Sequence, residues 1–194
     1  MTTWAPKASW LKRRVEMVDT VAFGGVATRL GDVLVALTEE GVAATSFRDG
    51  PVERRRIAGR LGLPVVDDPE RTAAARAELA AYFAGDLREF GVPLDWRLTS
   101  AAQRRVLWTL YDSVSYGHVV TYGELASRSG GGIPARGIGS IMGANPIPIV
   151  VPCHRVVAGN GLGGFSGGDG VESKRLLLGL EGYLPLPFDL DWAT

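Results

Sequence analysis

A single cysteine in 194 residues, Cys153, rules out an internal disulfide and any zinc site built from several thiolates. An apolar core must therefore hold the fold. With 46% hydrophobic and 22% charged residues, the chain can bury one as a single large domain or two small ones. The cysteine lies in the run Asn145-Pro146-Ile147-Pro148-Ile149-Val150-Val151-Pro152-Cys153-His154-Arg155-Val156-Val157. Pro146, Pro148 and Pro152 exclude a helix through this segment. The apolar stretch 149–151 between them reads as a short buried strand that presents Cys153 from a rigid floor.

The thiolate, not the thiol, is the nucleophile, and a nearby imidazole or other positive group lowers the thiol's pKa. His154, one of two histidines, follows Cys153 directly. A lone cysteine is more often a small buried hydrophobe than a catalyst, and neighbours on a strand point to opposite faces. For both groups to act, the chain must bend so that His154 turns back toward the sulfur, or a water must bridge them.

Two halves are legible. Residues 1–17, with Trp4, Trp10, Lys12, Arg13 and Arg14, read as an extension before the fold. Strands at 21–28, 33–38 and 42–47, with turns at Gly31-Asp32 and Glu39-Glu40-Gly41, predict an antiparallel meander. A short helix is expected over 53–61. Asp68-Pro69-Glu70 signals the start of another, which carries Leu79 and Phe83 on one face and stops at Gly85. Residues 18–90 thus form a support domain, 91–98 (with Pro93 and Trp96) a linker, and 99–194 a second domain. Thr99-Ser100 caps a helix whose Val106, Leu107, Leu110 and Val114 form a core stripe. Short helices at 121–127 and 135–144, separated by Gly130-Gly131-Gly132-Ile133-Pro134, read as a helix-turn-helix. The fold class expected is α+β: a small N-terminal antiparallel β-sheet domain with helices, plus a mostly helical C-terminal domain containing the helix-turn-helix.

The second of those helices is poor in bulk, with Gly137, Gly139, Ser140, Gly143 and Ala144, and its one charge is Arg136. Such a face suggests close approach to another surface. One arginine on a smooth helix suits a narrow groove of a duplex better than base reading in the major groove. The net charge is zero, which gives no global sign of a nucleic-acid partner. Between 122 and 160, Arg128, Arg136 and Arg155 stand against Glu124, a local excess of 3 − 1 = +2. No signal-peptide h-region and no run approaching a membrane span is present, so a soluble cytoplasmic protein is expected.

Together these segments resemble the O6-alkylguanine-DNA alkyltransferase family, the methylated-DNA–protein-cysteine methyltransferases. The resemblance rests on Pro152-Cys153-His154-Arg155-Val156-Val157, the Gly117 to Ala126 stretch, Ala135-Arg136, Gly143-Ala144-Asn145-Pro146, and Gly164-Phe165-Ser166-Gly167-Gly168. It runs through roughly 99–182 and is looser around 28–47. It implies direct-reversal repair, in which the alkyl group of an O6-alkylguanine flipped out of double-stranded DNA passes to Cys153 once. By that resemblance His154 is the base and Glu181 its orienter, in the logic of a hydrolase triad. Tyr122 crowds the 3′ phosphate and bonds the flipped base. Arg136, flanked by Ala135 and Gly137, fills the vacated space, and Asn145 is a structural hinge. The Val156 carbonyl, the Ser166 N–H and Phe165 contact the base. No metal or other cofactor, no membrane and no obligate protein partner are implied, and the protein is expected to be a monomer. Extra residues at 166–171 depart from the family pattern, and Lys174 reads equally as a solvated residue or an anchor of the pocket loop.

Three other readings remain. A damage-binding relative without alkyl transfer is disfavoured by the retained Cys153, His154 and Glu181. A transcription factor is disfavoured by a helix almost without base-reading side chains. A cysteine hydrolase would turn over repeatedly.

Overall fold

The computed structural model describes residues 19–185; the extension at 1–17 and the end of the second domain, 186–194, lie outside them. In chain order the elements are β1 (Val21–Thr28), β2 (Gly31–Thr38), β3 (Gly41–Ser46), α1 (Pro51–Leu61), β4 (Val65–Val66) and α2 (Ala73–Ala84). There follow α3 (Ala101–Ser113), β5 (Val120–Thr121), α4 (Tyr122–Ser129), α5 (Ala135–Gly143), a 3-10 turn (Cys153–Arg155), β6 (Val156–Val157) and α6 (Val171–Leu180). The fold is α+β.

The expected meander is present in the order β3-β2-β1, and β4 adds to β1 in parallel. The first hairpin turns at Arg29-Leu30 rather than at Gly31-Asp32, because Thr28 pairs with Gly31. The Thr28 hydroxyl closes that turn, donating to the Gly31 carbonyl at 2.7 Å and accepting from the Leu30 N–H at 3.1 Å. Alternation along β2 buries both of its faces. Val33, Val35 and Leu37 join the main core, while Leu34 and Ala36 meet Ile57 and Ala58 of α1.

Helix α2 starts at Ala73, later than Asp68-Pro69-Glu70 suggests. The Asp68 carboxylate accepts from the Arg71 N–H in a preceding turn instead. Gly85 ends the helix in the left-handed region, with φ 82°. Ser100 caps α3 through a full capping box with Gln103. Helices α4 and α5 pack against each other and against α3. Among the described residues, no helix is long and apolar enough to cross a membrane.

Segment 149–151 is not a strand. Ile149 has a φ of 75°, and the Val151 N–H donates to the Ile147 carbonyl at 2.8 Å, closing a tight turn. The prolines at 148 and 152 remove ladder donors, so an apolar composition typical of strands folds here into a turn. It leads into the 3-10 turn, which places Cys153 and His154 on a bend rather than on opposite faces of a strand.

One core joins the two halves: Val33 and Val35 of the sheet cluster with Leu107, Leu110, Ile138 and Ile147. Residues 91–98 run along β3, where the Val42 N–H donates to the Pro93 carbonyl at 2.8 Å and the Asp95 N–H to Val42 at 2.9 Å. Gly41, at φ 136°, permits this approach, because a Cβ there would stand 2.3 Å from the Pro93 oxygen. Gly41→Ala should cost about 1–3 kcal/mol. Gly59→Ala, on the exposed face of α1 with no atom within 4 Å of its Cβ, should not destabilise and should gain up to about 1 kcal/mol. Thermal denaturation of the two variants checks this.

Candidate active site

The cysteine turn hangs on one side chain. Asn145, just beyond α5, donates from Nδ2 to the Val151 carbonyl at 2.8 Å and accepts the Ile147 N–H on Oδ1 at 3.0 Å. It supplies the donor and acceptor that the proline-rich backbone lacks, and so ties the end of α5 to the turn before Cys153. Cys153 is buried at 6% exposure. Burial raises its pKa, which the Asn145 side chain and the Lys174 charge offset only in part. Nearby positive groups favour a lowered thiol; desolvation outweighs them, and the resting sulfur is a thiol.

His154 is fully buried, and burial holds it below the usual imidazole pKa of 6.5 despite the facing carboxylate of Glu181, so it is neutral at pH 7. Its Nε2–H donates to Glu181 Oε1 at 2.7 Å. That bond assigns the tautomer: the acceptor lone pair lies on Nδ1. Nδ1 has no hydrogen-bond partner among the described residues, which leaves it as the basic nitrogen.

Glu181 caps the C-terminal end of α6, where the helix dipole disfavours a carboxylate. Five donors compensate. Tyr82 Oη donates to Oε1 at 2.7 Å, beside the His154 bond. Arg155 donates from Nε to Oε2 at 2.9 Å and from Nη2 to Oε1 at 3.0 Å, and the Gly117 N–H reaches Oε2 at 3.2 Å. Burial alone would raise this carboxyl, but the His154 and Arg155 contacts outweigh it and hold it at about 2. With His154 neutral, Arg155 is the permanent cation that keeps Glu181 ionised. Arg155 Nη1 also donates to the Val114 carbonyl at 2.7 Å, so the guanidinium anchors the network to the end of α3.

A cavity of about 650 Å³ opens over the sulfur, lined by Tyr122, Ala135, Arg136, Met142, Phe165 and Cys153 among others. On α5, Ala135, Arg136, Ser140 and Gly143 are exposed, while Ile138, Ile141 and Met142 pack inward. Part of the small face serves the fold itself. A Cβ on Gly137 would meet Ile133 at 2.9 Å, and one on Gly139 would touch the Tyr122 ring at 4.0 Å. The half-buried Tyr122 donates from Oη to the Gly164 carbonyl at 3.3 Å. Burial, then the neighbouring Cys153, raises its pKa.

Lys174 proves to be an internal loop anchor. Its Nζ donates to the carbonyls of Val156 at 2.6 Å, Leu162 at 2.5 Å and Gly164 at 3.3 Å, and burial brings its pKa down to about 8. The Val156 carbonyl therefore already accepts one bond, and Val156 does not line the cavity over the sulfur. Ser166 does line it, and its hydroxyl donates to the Gly143 carbonyl at 3.3 Å. Phe165 forms a wall and meets Phe47 of the N-terminal half edge-on, with centroids 5.9 Å apart. Gly167 makes that contact possible, since its Cβ would stand 2.4 Å from Phe47.

Sequence reasoning missed Tyr82 and counted Arg155 only in a local charge excess, whereas its guanidinium is buried on Glu181. The N-terminal half read as support without catalytic groups, yet Tyr82 of α2 reaches the buried carboxylate. One signal was available: a tyrosine between Leu79 and Phe83 in an apolar stripe must bury its ring and find its hydroxyl a partner. Tyr82→Phe should cost about 1.5–3 kcal/mol in chemical denaturation. It should also raise the His154 pKa seen by NMR titration, because the carboxylate regains negative potential toward the imidazole.

Residues 101–183 match the family model described as the 6-O-methylguanine DNA methyltransferase DNA-binding domain. A methylated-DNA–protein-cysteine methyltransferase of Mycolicibacterium paratuberculosis is 42% identical over an alignment of 150 positions that covers 69% of this chain and 88% of that protein. Its namesake from Methanosarcina acetivorans is 36% identical over 154 residues, covering 79% and 93%. The crystal structure of the Mycobacterium tuberculosis O6-methylguanine methyltransferase superposes with a TM-score of 0.70 at 34% identity, over 88% of this chain and 97% of that one. A Mycobacterium tuberculosis OGT in complex with DNA gives 0.68 at 32% identity, over 83% and 93%. On this sequence likeness, spanning most of its relatives' length, the chain belongs to the methylated-DNA–protein-cysteine methyltransferase family.

Proposed function

We propose that this protein repairs DNA by direct reversal, taking the alkyl group from O6-alkylguanine in duplex DNA onto Cys153 once and irreversibly. The observation that carries the reading is the chain's only thiol at the base of an open cavity, next to an imidazole oriented by a buried carboxylate. The family's DNA-binding region and the DNA complex of a relative support the duplex as partner. The protein acts as a monomer, in the cytoplasm.

The O6 atom lies inside the base stack, so the base must leave it. The exposed small face of α5 follows the minor groove, and Arg136 occupies the space the base vacates, with the exposed Ala135 beside it letting the backbone approach; Gly137, expected beside them, packs against Ile133 instead. Tyr122 crowds the phosphate and then faces the flipped base in the cavity. As the Sγ–C bond forms, the C–O6 bond breaks. The thiol proton passes to His154 Nδ1 through a water, and Glu181 stabilises the imidazolium that results. Charge developing on the guanine oxygen is met by the Tyr122 hydroxyl and the Ser166 N–H. The remaining lone pair of the Val156 carbonyl accepts from the guanine amino group. A thioether offers water no acyl carbon, so the protein is consumed.

Intact-protein mass after incubation with an O6-methylguanine duplex should show one added methyl group per chain and never more. Cys153→Ser should abolish it and leave duplex binding in place. Unchanged mass in the wild type, or methylation of the Ser variant, would refute the mechanism. Arg136→Ala should slow repair in duplex DNA about 10-fold, equivalent to ~1.4 kcal/mol, and leave reaction with the free base unchanged. Single-turnover kinetics on both substrates decide this, and equal loss on both would remove the groove role.

A further inference from the structure

Arg104 and Arg105 are consecutive on α3, and both are exposed. About 100° of helix separates their side chains, so they face different surroundings. Arg104 lines an open cavity with Glu40 and Asp95, on the side of the N-terminal half. Arg105 turns instead to the connection between α4 and α5: a Cβ on Gly131 would stand 2.3 Å from its Nη1. Gly130, Gly131 and Gly132 all have positive φ, at 65°, 77° and 68°. The turn therefore needs glycine for its backbone and, at Gly131, for the seat of the guanidinium. Arg54, Arg56, Arg71, Arg97 and Arg155 each meet a carboxylate. Among the described residues, the Arg105 guanidinium has no carboxylate partner and no hydrogen-bond acceptor. None of the alkyl-transfer steps uses it, and it does not line the cavity over the sulfur.

We propose that Arg105 is a phosphate clamp, gripping the DNA backbone beside the groove that α5 enters, at a point outside both α5 and the cysteine cavity. The inference rests on the duplex-repair reading above. The turn on which Arg105 sits runs directly into the exposed Ala135 and Arg136, and the five residues from Gly131 to Arg136 span at most about 18 Å. The minor groove is about 6 Å wide, with a phosphate strand on each side. With Arg136 in that groove, the turn just before it lies close to a flanking strand. A planar guanidinium matches two oxygens of one phosphate, and no carboxylate of the fold has to be displaced first. The charge balance agrees with this placement. Arg155, part of the local excess of +2, is neutralised inside the fold by Glu181, which leaves Arg128 and Arg136 against Glu124. Arg105 brings the exposed excess back to 3 − 1 = +2. A phosphate contact carries no sequence information, so it strengthens binding to damaged and undamaged duplex alike.

The test measures duplex affinity against salt for the wild type, Arg105→Gln and Arg104→Gln, on an undamaged duplex and on one holding O6-methylguanine. The slope of log affinity against log salt should be shallower by about 0.9 in Arg105→Gln, the share of one phosphate. Between about 50 and 200 mM salt, the wild type should thus weaken about 3.5-fold more than this variant. The change should be the same on both duplexes, and methyl transfer at saturating protein should keep the wild-type rate. Arg104→Gln should keep the wild-type slope. An unchanged slope in Arg105→Gln overturns the proposal. So does an equal change in the two variants, which would mean a diffuse field of charge rather than a seated contact, and so does a change confined to the damaged duplex. Any of these alongside wild-type methyl transfer overturns this inference alone, whereas absence of methyl transfer by the wild type overturns the repair reading itself.

Discussion

The buried carboxylate of Glu181 is the interaction on which the rest of this structure depends. A charge in an apolar interior is tolerated only when its lone pairs are filled. Here the donors come from α2, the 116–118 turn and the 3-10 turn that begins with Cys153, so neutralising one charge fixes three parts of the chain. Arg155 satisfies the electrostatic requirement permanently, which leaves His154 free to stay neutral and basic. Had the imidazole been the carboxylate's only partner, it would have been driven toward the protonated form and lost as a base.

Desolvation tunes the nucleophile in the opposite direction from many reactive cysteines. The sulfur rests as a thiol because water is excluded from it, while Asn145 and Lys174 lower the cost of ionising it. A thiol at rest resists oxidants and stray electrophiles, since thiolate character governs both. In the proposed mechanism, reactivity appears only when a base fills the cavity and the proton has somewhere to go. For a protein used once per lesion, that restraint matters as much as speed.

Local signals were legible in the sequence: the meander, the Gly85 stop, the Ser100 capping box and the small face of α5. Cys153, His154 and Glu181 could be named because the motif and the closing helix stand in recognisable order. Other features were hidden for definite reasons. The partnership of Tyr82 with Glu181 spans 99 positions and leaves no periodicity to read. The two-residue strands β4, β5 and β6 are too short to alternate. Segment 149–151 has a strand's composition, and only proline placement with a left-handed Ile149 makes it a turn.

The reach of Tyr82 across the molecule bears on how such a protein can change over time. The residues proposed to perform the chemistry lie in the C-terminal half, yet their hydrogen-bond network is complete only with a hydroxyl from the N-terminal half, and the loop that carries Phe165 leans on Phe47 from the same side. The two halves are therefore not interchangeable parts. A C-terminal half transplanted onto a foreign partner would bring its cysteine intact and leave its proton acceptor mis-tuned, so the pair has to be inherited together.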